Sequence, residues 1–137
     1  MKVLVMYVDE FGYTPAQKNL ETAEEIIKGA SFQDAVLAFI QVEESDEEHD
    51  VKSREKKLVN HLKWTARKNN CKKIILHSFA HLSESKASVE FTKAIFDKAE
   101  QRLQNADFET AQTPFGYFLD LQLKAPGYSL ARIWAAL

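Results

Sequence analysis

Cysteine is nearly absent from this chain of 137 residues: Cys71 stands alone, which excludes an internal disulfide and suits a reducing compartment. Four glycines and three prolines are too few for a long linker or a low-complexity arm. The glycines, Gly12, Gly29, Gly116 and Gly127, are also too scattered to build a phosphate-cradling loop, so nucleotide triphosphate chemistry is not expected. No run approaches the ~20 apolar residues of a membrane span, and no internal repeat of ~20 to 50 residues recurs. Met1-Lys2-Val3-Leu4-Val5-Met6 opens into a strand-like pattern rather than a secretory leader. These absences are those of a soluble, cytoplasmic protein with no membrane partner.

What is present is enough apolar material, 45% of residues, for one core and too little chain for two. A net charge of −2 gives no sign of a nucleic-acid partner by itself. Its distribution is more informative. Nine of the eighteen Lys and Arg residues fall between Lys52 and Lys73, directly after the acidic stretch Glu43-Glu44-Ser45-Asp46-Glu47-Glu48-His49-Asp50. Two readings stay open: an acidic loop followed by a merely solvated helix face, or a basic helix that guides RNA through Lys56, Lys57 and Lys63.

Short apolar runs rich in branched residues predict buried strands at Val3 to Val8, Ala35 to Val42 and Lys72 to Phe79. Between the last two, Leu58, Leu62 and Thr65-Ala66 share one stripe of a helix over Ser53 to Asn70, closed by Asn69-Asn70. A second helix over Ser85 to Asn105 carries Val89, Thr92, Phe96, Ala99 and Leu103 at spacings of three and four, with serines ahead of its first turn. Strands return at Phe108 to Ala111 and at Tyr117 to Leu123, whose alternation implies one wetter face. Ala125-Pro126-Gly127 is turn chemistry. Tyr128 to Leu137 fits strand or helix, and Glu10 to Ser31 fits a hairpin arm or a short helix around Thr22 to Lys28. The order predicts a single α/β domain, a mixed β-sheet with two main helices packed on one face.

Two tracts about thirty residues apart carry the chemistry: His77-Ser78-Phe79-Ala80-His81-Leu82-Ser83 and Thr113-Pro114-Phe115-Gly116-Tyr117-Phe118. His77 and His81 have the spacing of a helical metal pair, but their run reads as extended and no further ligand follows at metal spacing, so no metal is expected. Cys71 sits at the polar start of a strand and reads as structural rather than nucleophilic. Pro114 fixes one backbone angle and Gly116 permits close approach, so the peptide groups around Phe115 and Tyr117 can be presented rigidly.

In order and separation, the strand ending near Asp9, Ala35-Val36-Leu37-Ala38-Phe39-Ile40-Gln41-Val42-Glu43, Phe79-Ala80-His81-Leu82-Ser83 and Thr113-Pro114-Phe115-Gly116-Tyr117 resemble the amino-terminal editing domain of archaeal-type threonyl-tRNA synthetases, a relative of D-aminoacyl-tRNA deacylases. The resemblance spans nearly the whole chain. It implies a D-aminoacyl-tRNA deacylase-like fold, no cofactor, and a homodimer excised from a longer synthetase. It also implies hydrolysis of serine wrongly attached to threonine tRNA, with the tRNA 3′-terminal aminoacyl-adenosine as partner and its 2′-hydroxyl assisting water attack. Val42, Phe79, Ala80, His81, Phe115, Gly116, Tyr117 and Phe118 would line the site, with His81 an assisting group rather than a general base. A lysine and a glutamate usual in relatives are replaced here by Leu119 and Arg132, leaving Asp120 as a conceivable substitute. A free-standing D-aminoacyl-tRNA deacylase and a non-catalytic adenosine- or RNA-binding module are the alternatives. Leu130, Ile133, Trp134 and Leu137 would seal a dimer edge or complete the chain's own core.

Overall fold

The computed structural model describes residues 1–26 and 28–137. Its centre is a βαβαβ unit. Strand β2 (Ala30–Gln41) leads through α1 (Val51–Lys68) to β3 (Lys73–Ser78), and β3 leads through α2 (Val89–Asn105) to β4 (Glu109–Gln112). β2, β3 and β4 pair in parallel. β1 (Lys2–Lys18) lies antiparallel to β2 on one side; on the other it carries β6 (Arg132–Ala136) along Lys2–Met6 and β5 (Tyr117–Lys124) along Glu10–Lys18. The result is a six-stranded mixed sheet in the order β4-β3-β2-β1-β5. The expected α/β domain, a mixed sheet with two main helices, is what the chain forms.

Both helices cover one face. Val3, Val5, Val36, Ala38, Ile40, Ile74 and Leu76 alternate toward Leu58, Leu62, Ile95, Phe96, Ala99 and Leu103, and this cluster is the main core. Strand alternation aims Val8, Leu37, Phe39 and Ile75 the other way, into a smaller cluster with Phe11. Phe11 and Tyr13 join the side of Leu4, Met6 and Val8, which strict alternation forbids. Asp34, opposite Asp9 in the register, has φ of 51°, and β1 and β2 change facing together there.

The helices begin where a polar side chain satisfies their free amides. Asp50 accepts from Ser53 N at 2.7 Å, so α1 starts at Val51 rather than Ser53, and Asn69 is its carboxyl cap. Ser88 accepts from Phe91 N, so α2 starts four residues after the expected Ser85, which bonds Glu44 N instead. The open assignments resolve into strand: β1 runs on to Lys18 as a hairpin arm, and Tyr128 to Leu137 holds a short 3-10 turn followed by β6. Of the alternative, a short helix around Thr22 to Lys28, position 27 lies outside the described residues, and the described positions there carry no helix. β5 shows the expected wetter face, with Phe118, Asp120 and Gln122 exposed against half-buried Tyr117, Leu119 and Leu123; Leu121 alone departs, exposed on the drier side. Leu137 packs on the main core, whereas Trp134 is 57% exposed.

A buried ionic knot ties the loop after β2 to α1. Asp46 takes Arg54 Nη2 at 2.6 Å and the backbone amide of Glu43 at 2.7 Å, with Asp46 and Arg54 both buried. The N-terminal ammonium adds a contact to Asp46 at 3.1 Å, and Arg54 also donates to the Leu137 carbonyl at 2.6 Å. Removing one partner strands the other charge in low dielectric. Asp46→Ala is expected to destabilise the fold by about 3 kcal/mol or more, and the double change Asp46→Leu with Arg54→Met to recover most of that, both read by denaturant unfolding.

Candidate functional site

A cleft of about 300 Å³ opens at the carboxyl ends of β2 and β3. Open α/β sheets offer ligands this position because loops diverge there. Ile40 and Val42 form its floor, Phe79, Ala80 and His81 one wall, and Ala87, Val89 and Thr92 at the start of α2 another. Asn19 and Leu20 from the end of the β1 arm close it against Phe115, Gly116 and Phe118. The two tracts are therefore brought together, although Tyr117 stands apart. Its hydroxyl donates to the Glu24 carbonyl at 2.6 Å and accepts from Ile26 N at 3.0 Å, stapling the turn after β1. Gly116 serves the same closure. At φ 89° it lets the arm approach so closely that a Cβ would lie 2.9 Å from that of Ala23.

The wall at Ala80 and His81 is a turn held from below. Gln41, buried at the end of β2, accepts with Oε1 from the amides of Leu82 (2.6 Å) and Ser83 (2.8 Å). Its Nε2 donates to the carbonyls of Ser83 (2.8 Å) and Ser85 (2.9 Å). Phe79 N is bonded to the Ile40 carbonyl at 3.0 Å, and Ser83 Oγ donates to Glu43 at 2.6 Å. Among the described residues, the amides of Ala80 and His81 have no protein acceptor, so two consecutive N–H donors are left for whatever enters. Burial works to raise the pKa of Glu43, but hydrogen bonds from the N-terminal ammonium, Ser83 and Lys2 hold it at about 2, so this anchor stays charged.

The ionisable side chains in the lining are His81 and Lys86; no carboxylate is among them. His81 is exposed, its ring edge-on to Phe79 at 5.0 Å between centroids. Phe79 in turn meets Phe39 at 5.1 Å, an aromatic chain from the core to the rim. His77 is turned into the interior: its Nδ1 lies 2.9 Å from Thr113 Oγ1, and Nε2 is buried without a partner. Leu119 and Arg132 do not line the cleft; Leu119 faces Pro15 across the sheet and Arg132 donates to the Pro126 carbonyl. Asp120 is likewise elsewhere, in a shallow hollow with Gly12 and Thr14, and cannot stand in for a missing carboxylate. Sequence reasoning missed Gln41, Lys86 and the arm residues Asn19 and Leu20. Only Gln41, a polar side chain ending an apolar buried strand, left a signal.

Fold and cleft together define a single-domain α/β binding unit that offers a ligand backbone donors and aromatic walls. A solved structure described as a c-Myc DNA Unwinding Element Binding Protein superposes with a TM-score of 0.67 at 10% identity, covering 100% of this chain and 99% of that one, a likeness of fold. The model of the archaea-specific editing domain of threonyl-tRNA synthetase matches residues 1–137, and the chain belongs to that family of aminoacyl-tRNA hydrolases. Similar curated proteins are threonine–tRNA ligases. That of Nitrosopumilus maritimus is 29% identical over 133 residues, 96% of this chain and 20% of the relative. That of Methanopyrus kandleri is 28% identical over 134 residues, 97% of this chain and 21% of the relative. The chain thus spans about a fifth of the length of the curated relatives it matches.

Two outcomes follow from this geometry. Gln41→Leu leaves the Leu82 and Ser83 amides without their acceptor; each such buried group costs about 1 to 3 kcal/mol. The variant is expected to melt lower and to lose at least ~10-fold in single-turnover hydrolysis as the turn loosens. Burial lowers the pKa of His77 to about 4, below its unfolded value. Its contribution to stability is therefore whole above pH ~6.5 and is lost as pH falls toward 4, on the order of 3 kcal/mol. Denaturation midpoints measured across that window should fall steeply in the native chain and less so in His77→Gln.

Proposed function

We propose that this domain proofreads threonine tRNA by hydrolysing L-serine attached to it. Serine is threonine without one methyl, worth only about 1 to 3 kcal/mol to a synthetic pocket, so rejection there is incomplete. A second, smaller pocket inverts the preference by steric exclusion, which is cheap. The observation that carries the reading is that Ala80 and His81, whose amides have no protein acceptor among the described residues, line a cleft whose lining holds no carboxylate.

In this reading the two N–H groups take the ester carbonyl oxygen and stabilise the negative charge that develops on it as water adds. The terminal adenosine rests against Phe115 and Phe118, and Val42, Phe79 and Gly116 bound the amino acid. The bond from the acyl carbon to the ribose 3′-oxygen breaks as a bond to water's oxygen forms, a proton of that water passes to the departing 3′-oxygen, and the 2′-hydroxyl of the RNA orients the water. No cofactor enters. His81 contacts the substrate without acting as obligatory base, and Tyr117 acts through the arm. Leu119 and Arg132 are compatible with activity because neither position borders the cleft. The domain works as part of a longer, cytoplasmic synthetase and pairs with a second copy; exposed Trp134 on the outer strand β6 supports the pairing, which sedimentation tests.

The decisive assay compares seryl and threonyl esters on one tRNA. Seryl ester should be cleaved at least ~10-fold faster. His81→Ala should change that ratio while keeping turnover within about tenfold; complete loss of turnover would identify His81 as a general base and overturn the backbone mechanism. Preferential cleavage of D-aminoacyl esters would replace the serine reading, and tight RNA binding without cleavage would replace catalysis altogether.

A further inference from the structure

We propose that the outer face of α1 is a docking surface for the phosphate backbone of RNA, in the reading above the acceptor stem of the tRNA whose 3′ end enters the cleft. Lys52, Lys56, Lys57, Lys63, Arg67 and Lys68 all lie on the helix flank away from Leu58 and Leu62, and all but the half-buried Lys63 are exposed. Among the described residues none of the six is paired with a carboxylate. The one acidic residue of α1, Glu55, is buried and bonded to Arg102, and Arg54 is taken up by Asp46, so neither alters this face.

A solvated helix face ordinarily mixes its signs, as α2 does: Glu90, Asp97 and Glu100 balance Lys93, Lys98 and Arg102. On α1 the spacing instead sets like charges one turn apart, Lys52 with Lys56 and Lys63 with Arg67, an arrangement that destabilises a helix. A polyanion laid along it relieves that repulsion. Trp64 sits within the stripe, 46% exposed, with Lys68 Nζ 6.0 Å from its ring centre and the His61 ring stacked at 6.2 Å. An exposed ring beside a lysine ammonium suits a sugar or an unstacked base. At 1.5 Å per residue the helix is about 27 Å long, most of one ~34 Å duplex turn. The acidic segment Glu44–Glu48 borders its amino end and is bound to the α2 start through Glu47 and Ser88.

The test is salt-dependent binding of unmodified tRNA by the full chain. Each phosphate contact contributes about 0.9 to 1 to the slope of log K against log salt. The triple variant Lys56→Glu, Lys57→Glu, Arg67→Glu should lose about three from that slope and raise KM for seryl-tRNA at least ~10-fold, with the loss confined to the RNA-borne substrate and absent for seryl-adenosine. The neutral set Lys56→Gln, Lys57→Gln, Arg67→Gln gives the same reading should the charge reversal fail to fold. Lys93→Glu with Lys98→Glu on α2 is the control. An unchanged slope in the α1 variants, or an equal fall in the α2 control, overturns the proposal. Failure of the native chain to cleave the seryl ester overturns the editing reading instead, and the binding slopes still decide this one.

Discussion

The four hydrogen bonds of the Gln41 side chain are what the site depends on. A turn that must leave two amides open to a ligand cannot satisfy itself with its own backbone, so its shape has to be imposed from outside. A buried carboxamide suits this because it presents acceptor and donor in one rigid plane, and its strand is locked between β1 and β3. Glu43, two residues after Gln41, repeats the device on Ser83 with a carboxylate kept ionised by its own partners. With the turn anchored at Leu82, Ser83 and Ser85, Ala80 and His81 line the cleft and, among the described residues, their amides have no protein acceptor.

Much of the fold was legible because the strongest sequence signals were burial signals. Leu58, Leu62 and Ala66 could share a stripe only on a helix, and Ala35 to Ile40 could be buried on both faces only in a central strand. Errors arose where a side chain served an element other than its own. Ser85 looks like a helix cap but bonds Glu44, while Ser88 caps α2. Tyr117 looks like a pocket wall but holds the turn after β1. The facing change at Asp34 was invisible, since a positive φ in aspartate leaves no mark on hydropathy.

The site was half legible for a related reason. Phe79 to His81 and Phe115 to Phe118 stand out as tracts, but Asn19 and Leu20, which close the cleft, are ordinary residues about ninety-five positions from Phe115 and nothing local marks them. The polar positions whose replacement looked threatening, Leu119 and Arg132, fall outside the cleft, whereas Lys86 at its rim drew no notice. Resemblance transferred positions along the chain; three-dimensional proximity reassigned their importance.

β1 pairs with β2, β5 and β6, and two of those three partners lie in the last twenty-one residues, 117–137. On the ribosome the opening strand must therefore wait, with one edge bare, until translation of the domain is nearly complete. Contacts of such long sequence separation form late and slowly. The Phe115–Phe118 wall arrives in the same final stretch, so a nascent chain has no finished cleft and no premature esterase activity. Without residues 117–137, β1 would keep β2 on one side and present its other edge unpaired, an aggregation-prone margin.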